Sequence, residues 1–142
     1  MDPAPRSFSE LPLDSALGVP VPFACGTDGT SARRLDARRV TQCALSRVCG
    51  VCGATLGRPI AFLGSPDEAA RNAFHFPPTH LECARALLAE YDAVTDAVLG
   101  QEAPVTGWVL RTTAAFEFVR PGRDDVDRRP TFQPSAILSD SA

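Results

Sequence analysis

Two short cysteine-containing stretches constrain the fold of this chain more than any other feature. The first reads Cys49-Gly-Val-Cys52, and the second reads His80-Leu-Glu-Cys83. Each offers two ligands separated by two residues, and the 27 residues from 53 to 79 lie between the two stretches. Three cysteines and one histidine at this spacing are typical of tetrahedral zinc sites. The sequence therefore predicts one structural zinc ion bound by Cys49, Cys52, His80 and Cys83.

The residues beside each pair predict the local structure that holds it. Gly50 and Gly53 allow the tight turn of a zinc knuckle, in which backbone N–H groups approach the sulfurs. Thr79 and Glu82 have the spacing of a capping box, so we expect a helix to begin at His80. Because residues three apart share a helix face, both ligands of the second pair would point at the ion. A knuckle followed by a helix N-terminus is the treble-clef arrangement.

Other interpretations of the cysteines and histidines stay open at this point. A Cys-x2-Cys pair can be a redox dithiol, although no βαβ pattern surrounds this one, and an iron site or no metal are further alternatives. His75 could replace His80 as a ligand, and Cys43 could be a fifth ligand. We expect instead a packed imidazole at His75 and small buried side chains at Cys43 and Cys25. Because four protein ligands leave no open coordination position, we expect a structural ion and no enzyme.

Composition limits the classes of protein that this chain could represent. Its 142 residues suffice for one domain with tails and a real core. The net charge of −3 argues mildly against a protein devoted to polyanions, and five cysteines, an odd number, do not indicate a disulfide framework. Neither a signal peptide nor an apolar run of membrane-spanning length is visible. A cytoplasmic protein without membrane contact is therefore expected.

Hydrophobic periodicity and turn residues predict the elements of the first half. Residues 1–22 contain five of the 13 prolines and are expected to form an extended arm, part of which could add as a strand or lie along the core. Asp28-Gly29 is expected to form a hairpin turn. An amphipathic helix is expected from Asp36, its N-cap, to about Arg47. A strand should follow over residues 58–63, and a helical turn should begin at Ser65.

The second half is predicted to combine one long helix with a hairpin. The helix that starts at His80 should run to about Leu99 and be ended by Gly100. Two β-rich runs, residues 108–113 and 115–119, are expected to pair as a hairpin that packs on this helix.

Together these elements predict an α+β fold. It would be a small treble-clef-like zinc domain, with a main helix in the C-terminal half packed against short β-hairpins. The zinc-binding domain would span residues 23–121. The arm of residues 1–22 would precede it, and a polar loop and C-terminal tail over residues 122–142 would follow it.

Several motifs of the chain resemble those of a known family. They are Leu35-Asp36-x2-Arg39-Val40, Arg47-Val-Cys49-Gly-Val-Cys52-Gly-x2-Leu56-Gly57, Ala61-Phe62 and Pro77-Pro78-x-His80-x-Glu82-Cys83-Ala84. Over about residues 19 to 88, the chain is similar to small uncharacterised zinc-finger proteins of actinobacteria and their bacteriophages. The resemblance implies a treble-clef-like fold with Cys49, Cys52, His80 and Cys83 as zinc ligands, and it implies no activity.

Three functions are compatible with these patterns. The preferred hypothesis is a binding or adaptor module, in which zinc fixes a rigid knuckle and helix and another part of the surface engages a partner protein. The second is nucleic-acid binding by arginines that cluster around the knuckle: Arg33, Arg34, Arg38, Arg39, Arg47 and Arg58. The third and least favoured is a metal-dependent, nuclease-like enzyme, for which two histidines leave too few catalytic groups. The sequence gives no prediction of oligomeric state.

Overall fold

A four-stranded antiparallel sheet organises the chain. The computed structural model describes residues 8–25 and 31–141, so the first part of the predicted arm and a hairpin turn predicted at Asp28-Gly29 lie outside the described residues. In chain order the elements are β1 (Leu13–Asp14), β2 (Val19–Pro20), α1 (Ala37–Ser46), β3 (Ile60–Gly64), α2 (Pro66–Arg71), β4 (Thr79–His80), α3 (Leu81–Tyr91), β5 (Val109–Val119) and β6 (Thr131–Ser141). The strand order of the main sheet is β4-β3-β5-β6, and the predicted mixed α+β class is confirmed.

Helices cover both faces of this sheet. Ala61 and Leu63 of β3 pack with Leu87 of α3 in one buried cluster. Phe62 packs with Val40 of α1 in a second cluster. Because successive side chains of a strand point to opposite faces, α3 lies on one face and α1 lies on the other. We call these the α3 face and the α1 face. Within the described residues, no helix is long and apolar enough to cross a membrane.

Side-chain caps start both α1 and α2. The carboxylate of Asp36 accepts hydrogen bonds from the backbone N–H groups of Arg38 and Arg39, at 2.9 and 3.2 Å. Ser65 and Glu68 form a reciprocal capping box at the start of α2. Each cap satisfies backbone N–H groups that have no partner within the helix. The N-cap predicted at Asp36 and the helical turn predicted at Ser65 are therefore confirmed.

The helix α3 is shorter than predicted and begins differently. It spans Leu81–Tyr91 and does not continue to Leu99. Thr79 lies in β4, where its hydroxyl donates to the carbonyl of Ala61 in β3 at 3.0 Å. The N-cap residue is His80, whose side chain makes no capping hydrogen bond. The capping-box prediction was wrong because the helix begins one residue later than predicted, so Thr79 does not stand at the N-cap position.

The strands β5 and β6 replace the predicted hairpin and tail. Residues 109–119 form one continuous strand, and its antiparallel partner β6 lies in the segment predicted to be a polar loop and tail, residues 122–142. The predicted hairpin does not form, because only Ala114 separates the two runs and the commonest tight turns need two residues, so the segment continues as one strand. Asn72 donates to the carbonyl of Pro134 from outside the sheet, at 2.9 Å. Pro134 therefore fits in β6, because its missing N–H faces the outer edge.

The described part of the predicted arm packs on the α3 face. The strands β1 and β2 form a small antiparallel pair. Leu11, Val19 and Val21 are buried in the same cluster as α3. The hydroxyl of Tyr91, at the end of α3, donates to the carbonyl of Pro20 at 2.5 Å. Residues 8–22 thus lie along the core, which was one of the two arrangements the sequence allowed.

Candidate metal centre

Three thiols and one imidazole converge where the chain leaves α1 and where it enters α3. The ligand atoms of Cys49, Cys52, His80 and Cys83 all lie within 4.8 Å of one another. Nδ1 of His80 is 3.4 Å from Sγ of Cys52 and 3.7 Å from Sγ of Cys83. A tetrahedral zinc ion with ordinary bond lengths to sulfur and nitrogen would separate two such donors by about 3.6 Å. The four residues therefore form a cluster that could hold a metal ion.

Backbone hydrogen bonds close the turn that carries the first ligand pair. The N–H of Gly53 donates to the carbonyl of Cys49 at 2.9 Å, and the N–H of Val51 donates to the sulfur of Cys49 at 3.3 Å. Gly53 has φ +78°, a conformation that side chains disfavour. At Gly50 an added Cβ atom would lie 3.1 Å from the ring of Phe76. Gly53 therefore has the role in the turn that the sequence predicted, whereas the space at Gly50 is limited by the packing of Phe76.

A strand and a helix place the second ligand pair. His80 is the last residue of β4, where it lies opposite Ile60 of β3. Cys83 follows in the first turn of α3. The backbone N–H of His80 donates to the sulfur of Cys49 at 3.4 Å, which links the two halves of the cluster directly. The sheet, and not a capping box, thus fixes the backbone from which both ligands project.

A backbone carbonyl orients the imidazole of His80. Nε2 of His80 donates to the carbonyl oxygen of Thr55 at 2.8 Å. With the proton on Nε2, the lone pair of Nδ1 faces the three sulfurs, which is the tautomer that a metal needs. Nothing in the sequence singled out Thr55, because a carbonyl contact depends on backbone position and not on residue type.

Negative charge in the cluster is most favoured at Cys49. Burial raises the pKa of its thiol, but hydrogen bonds from the thiols of Cys52 and Cys83 and from backbone N–H groups outweigh burial and lower this pKa to about 3. The pKa of Cys83 is raised, chiefly because its thiol donates to the sulfurs of Cys49 and Cys52. Since thiolates are the form that binds metal, a divalent cation would take the place of the shared protons.

The two remaining cysteines have the structural role that was expected. Cys25 and Cys43 are buried, and neither belongs to the metal-ligand cluster formed within the described residues. Burial raises the pKa of both thiols, so they stay protonated and unreactive. Cys43 packs from α1 as a small apolar side chain.

The arginines proposed for nucleic-acid contact have different surroundings. Arg33 forms an exposed ion pair with an aspartate, at 3.7 Å. The guanidinium of Arg39 lies 4.2 Å from the ring centroid of Phe23, and that of Arg47 lies 4.9 Å from the ring centroid of Phe116. These are cation–π contacts, in which the positive charge of the arginine packs against the face of an aromatic ring. The other three side chains make no hydrogen bond or ion pair with residues 8–25 or 31–141: Arg34, Arg38 and Arg58.

A second polar cluster, which the sequence did not predict, surrounds Glu68 of α2. Glu68 is only 2% exposed. Its Oε1 accepts from the N–H of Ser65 at 3.0 Å and from Gln101 at 2.6 Å, while Oε2 accepts from the backbone and from Nδ1 of His75, both at 2.8 Å. Burial alone would raise the pKa of Glu68, but these hydrogen bonds lower it. The spacing of Ser65 and Glu68 was the one available signal, and it did not reveal the burial.

His75 belongs to this second cluster and not to the metal-ligand group. Its Nε2 lies 2.9 Å from Oδ2 of Asp127, so both ring nitrogens have a carboxylate partner. The packed imidazole expected at His75 is therefore confirmed. The cluster forms one wall of an open cleft of about 440 Å³ between α2, the chain after Gly100 and the chain before β6.

Fold and site together define a mixed α+β protein with a Cys3His cluster that could bind one metal ion. Comparisons with protein-family models, with curated proteins and with solved structures each find no match to this chain. Inference about function therefore depends on the geometry of the cluster and on the surfaces around it.

Proposed function

We propose that the protein is a zinc-stabilised binding module that engages a partner protein, with Cys49, Cys52, His80 and Cys83 holding one structural zinc ion. The observation that carries this proposal is the convergence of four protein ligands from two distant segments. Three thiolates and an imidazole suit zinc better than the hard cations, which prefer oxygen. Four protein ligands also leave no coordination position for a substrate.

The position of the cluster supports a structural role for the ion. It joins the turn after α1 to β4 and α3, and β4 is only two residues long. A short strand contributes little stability alone, so a metal cross-link at its end would fix the start of α3. The order of knuckle, strand and helix N-terminus supports the treble-clef-like arrangement that the family resemblance implies.

Surface features favour a protein partner over a nucleic acid. Arg39 and Arg47 cover aromatic rings, and the net charge is −3. Large apolar side chains are exposed on α1 and β6: Leu45, Ile137 and Leu138. Nucleic-acid binding stays the alternative, because Arg34, Arg38 and Arg58 leave their charge available. An enzymatic role is the least favoured, because His80 belongs to the metal-ligand cluster and His75 is held between two carboxylates.

Elemental analysis of the purified chain tests the metal proposal. We expect about one zinc per chain, an ion that is lost in Cys83→Ser and retained in Cys43→Ser. The second variant is the matched control, because Cys43 is a buried cysteine outside the cluster. Iron in place of zinc, or equal metal content in both variants, would contradict the proposal.

Binding assays separate the two partner classes. A protein partner should copurify with the zinc-loaded chain and should be lost with Cys83→Ser. If nucleic acid is the partner, fluorescence polarisation with mixed DNA or RNA should show affinity that falls steeply with salt. The double variant Arg34→Ala, Arg38→Ala should then weaken binding, whereas Arg85→Ala, which removes another exposed arginine, should not.

A further inference from the structure

The buried imidazole of His75 connects two elements that are far apart in sequence. His75 is 6% exposed. Nδ1 lies 2.8 Å from Glu68 of α2, and Nε2 lies 2.9 Å from Asp127 in the β5–β6 loop, residues 120–130. The ring is thus the buried link between this loop and α2.

The two carboxylate partners of His75 require a proton on each ring nitrogen. An ionised carboxylate can only accept, so two carboxylate partners require that both Nδ1 and Nε2 donate, which is the imidazolium form. Hydrogen bonds, chiefly from His75 to Glu68 and from Arg129 to Asp127, keep the pKa of both carboxyls below the ordinary value. Both acids therefore stay ionised in neutral water, and the cationic ring satisfies them together.

One of the two contacts is expected to break when the ring loses a proton. Glu68 is fixed by four hydrogen bonds and is buried, so it keeps its N–H donor on Nδ1. The lone pair of Nε2 then faces an oxygen of Asp127, and two acceptors repel each other. Asp127 is the partner that can move, because its side chain is 41% exposed and keeps hydrogen bonds from Arg129, at 2.9 and 3.0 Å. This ion pair would leave together with the loop, which would also break the hydrogen bond from Arg129 to the carbonyl of Gly100.

The other charges around the ring do not replace the missing proton. Those that face the cleft come from α2, from the chain after Gly100 and from the loop: Asp67, Arg71, Glu102 and Arg129. Arg71 pairs with Asp67 at 3.1 Å. Arg129 binds Asp127 and the carbonyl of Gly100 and lies near Glu102. The side of the ring toward α1 is lined by apolar side chains: Leu35, Ala37 and Val40.

We propose that His75 is a pH-sensitive latch, which holds the β5–β6 loop on α2 while its ring is protonated and releases the loop when the ring becomes neutral. Protonation of Glu68 and Asp127 would end docking at the acid limit. Release would uncover the apolar cavity of about 80 Å³ between His75, Pro130 and the start of α1.

Carbon-detected NMR of the metal-loaded chain, from about pH 5 to about pH 9, tests the latch. Ring signals of His75 report its titration, and relaxation of residues 120–130 reports the mobility of the loop. We expect the loop to become mobile with the same midpoint as the ring. In Asp127→Asn the carboxamide can accept from the protonated ring or donate to the neutral one, so the loop should stay ordered throughout.

Asp124→Asn is the matched control, because Asp124 is exposed in the same loop. It should keep the pH response of the natural chain. Three results would each overturn the proposal: a loop that stays ordered while the His75 ring titrates, a ring that keeps its proton over the whole range, or an unchanged pH response in Asp127→Asn.

Discussion

The two faces of the sheet are held together by different chemistry. On the α3 face, Cys49 belongs to a buried cluster and Cys52 packs against it. The same cluster contains residues of the arm and of α3. On the α1 face, stability comes from a group of aromatic rings with centroids 5.1 to 6.1 Å apart. Its members are Phe62, Phe74, Phe116, Phe118 and Phe132. The carboxylate–imidazole network around Glu68 lies at the border of this group.

This difference indicates that the faces depend on different conditions. Ring packing buries apolar surface and needs no ligand, whereas a cluster of three thiols and an imidazole could hold a cation and would then depend on that cation and on the redox state. Phe62 and Leu63 are adjacent in β3, so one strand connects the two kinds of packing. The following variants break one face at a time.

The largest effect is expected when the ligand cluster is broken. Cys49→Ser should remove the metal and most of the fold, since roughly 10 to 16 kcal/mol of zinc-binding free energy in zinc-finger peptides becomes folding free energy. Circular dichroism and the emission of Trp108, which is buried on the α3 face, would report the loss. Unchanged spectra after complete removal of metal by a chelator would contradict a structural role.

The aromatic group should be broken by Phe62→Ala. This ring contacts three others and is fully buried, so we expect a loss of about 3 to 5 kcal/mol in the free energy of unfolding. Urea denaturation would measure it. Metal content should stay at the level of the natural chain, and simultaneous loss of the metal would show that the two faces are not separable.

Glu68→Gln should weaken the ionic network around His75 and leave the packing of the aromatic group unchanged. Removing one charge from this buried pair should cost about 3 kcal/mol at neutral pH. The pKa of Glu68 is lowered in the folded state, so its stabilisation is present above the unfolded pKa and is lost as pH falls through the folded one. Urea midpoints of the natural chain and the variant should therefore converge as pH decreases, and a constant difference would exclude this origin.

A smaller effect is expected where α3 holds the arm. Tyr91→Phe removes only the hydroxyl that donates to the carbonyl of Pro20, which is buried, so about 1 to 2 kcal/mol should be lost. Denaturation at constant zinc concentration would measure it. A variant as stable as the natural chain would mean that water satisfies this carbonyl.

A loss no larger than that at Tyr91 is expected at Cys43, one of the two buried cysteines outside the cluster. Cys43→Ser should cost on the order of 1 to 2 kcal/mol, because it buries a hydroxyl in an apolar site and leaves the ligands unchanged. The difference in unfolding free energy between Cys49→Ser and Cys43→Ser then measures the contribution of metal ligation, because both variants replace a buried thiol by a hydroxyl. A loss of metal in Cys43→Ser would assign this residue to the site.

The sequence predicted the ligand cluster because its signals are local. Two ligands per pair, Gly50 and Gly53, and the N-cap at Asp36 each depend on neighbours within a few residues. The ligand cluster, the positive φ of Gly53 and the cap at Asp36 are present in the structure, whereas Gly50 is constrained by the ring of Phe76. The end of α3 was not predictable in this way, because Val98 and Leu99 are buried in the core at the end of a turn and only tertiary packing decides between turn and helix.

Features that depend on distant partners were missed. Thr79 pairs in β4 with β3, whose Ala61 lies 18 residues earlier in the chain, and the helix begins one residue later than the capping signal indicated. The strand β6 contains Pro134, which argues against a strand unless the sheet edge is known. The burial of Glu68 depends on Gln101 and His75, so a surface helix was the natural expectation for it.

The separation of the two ligand pairs has a consequence for biosynthesis. Residues 49 and 52 are synthesised before β3, α2 and β4, so the nascent chain carries two thiols before their imidazole partner has been added. Unligated thiolates are open to oxidation and to mispairing with Cys25 or Cys43. A reducing compartment during translation would protect this interval, and secretion before completion would trap chains with the wrong disulfides.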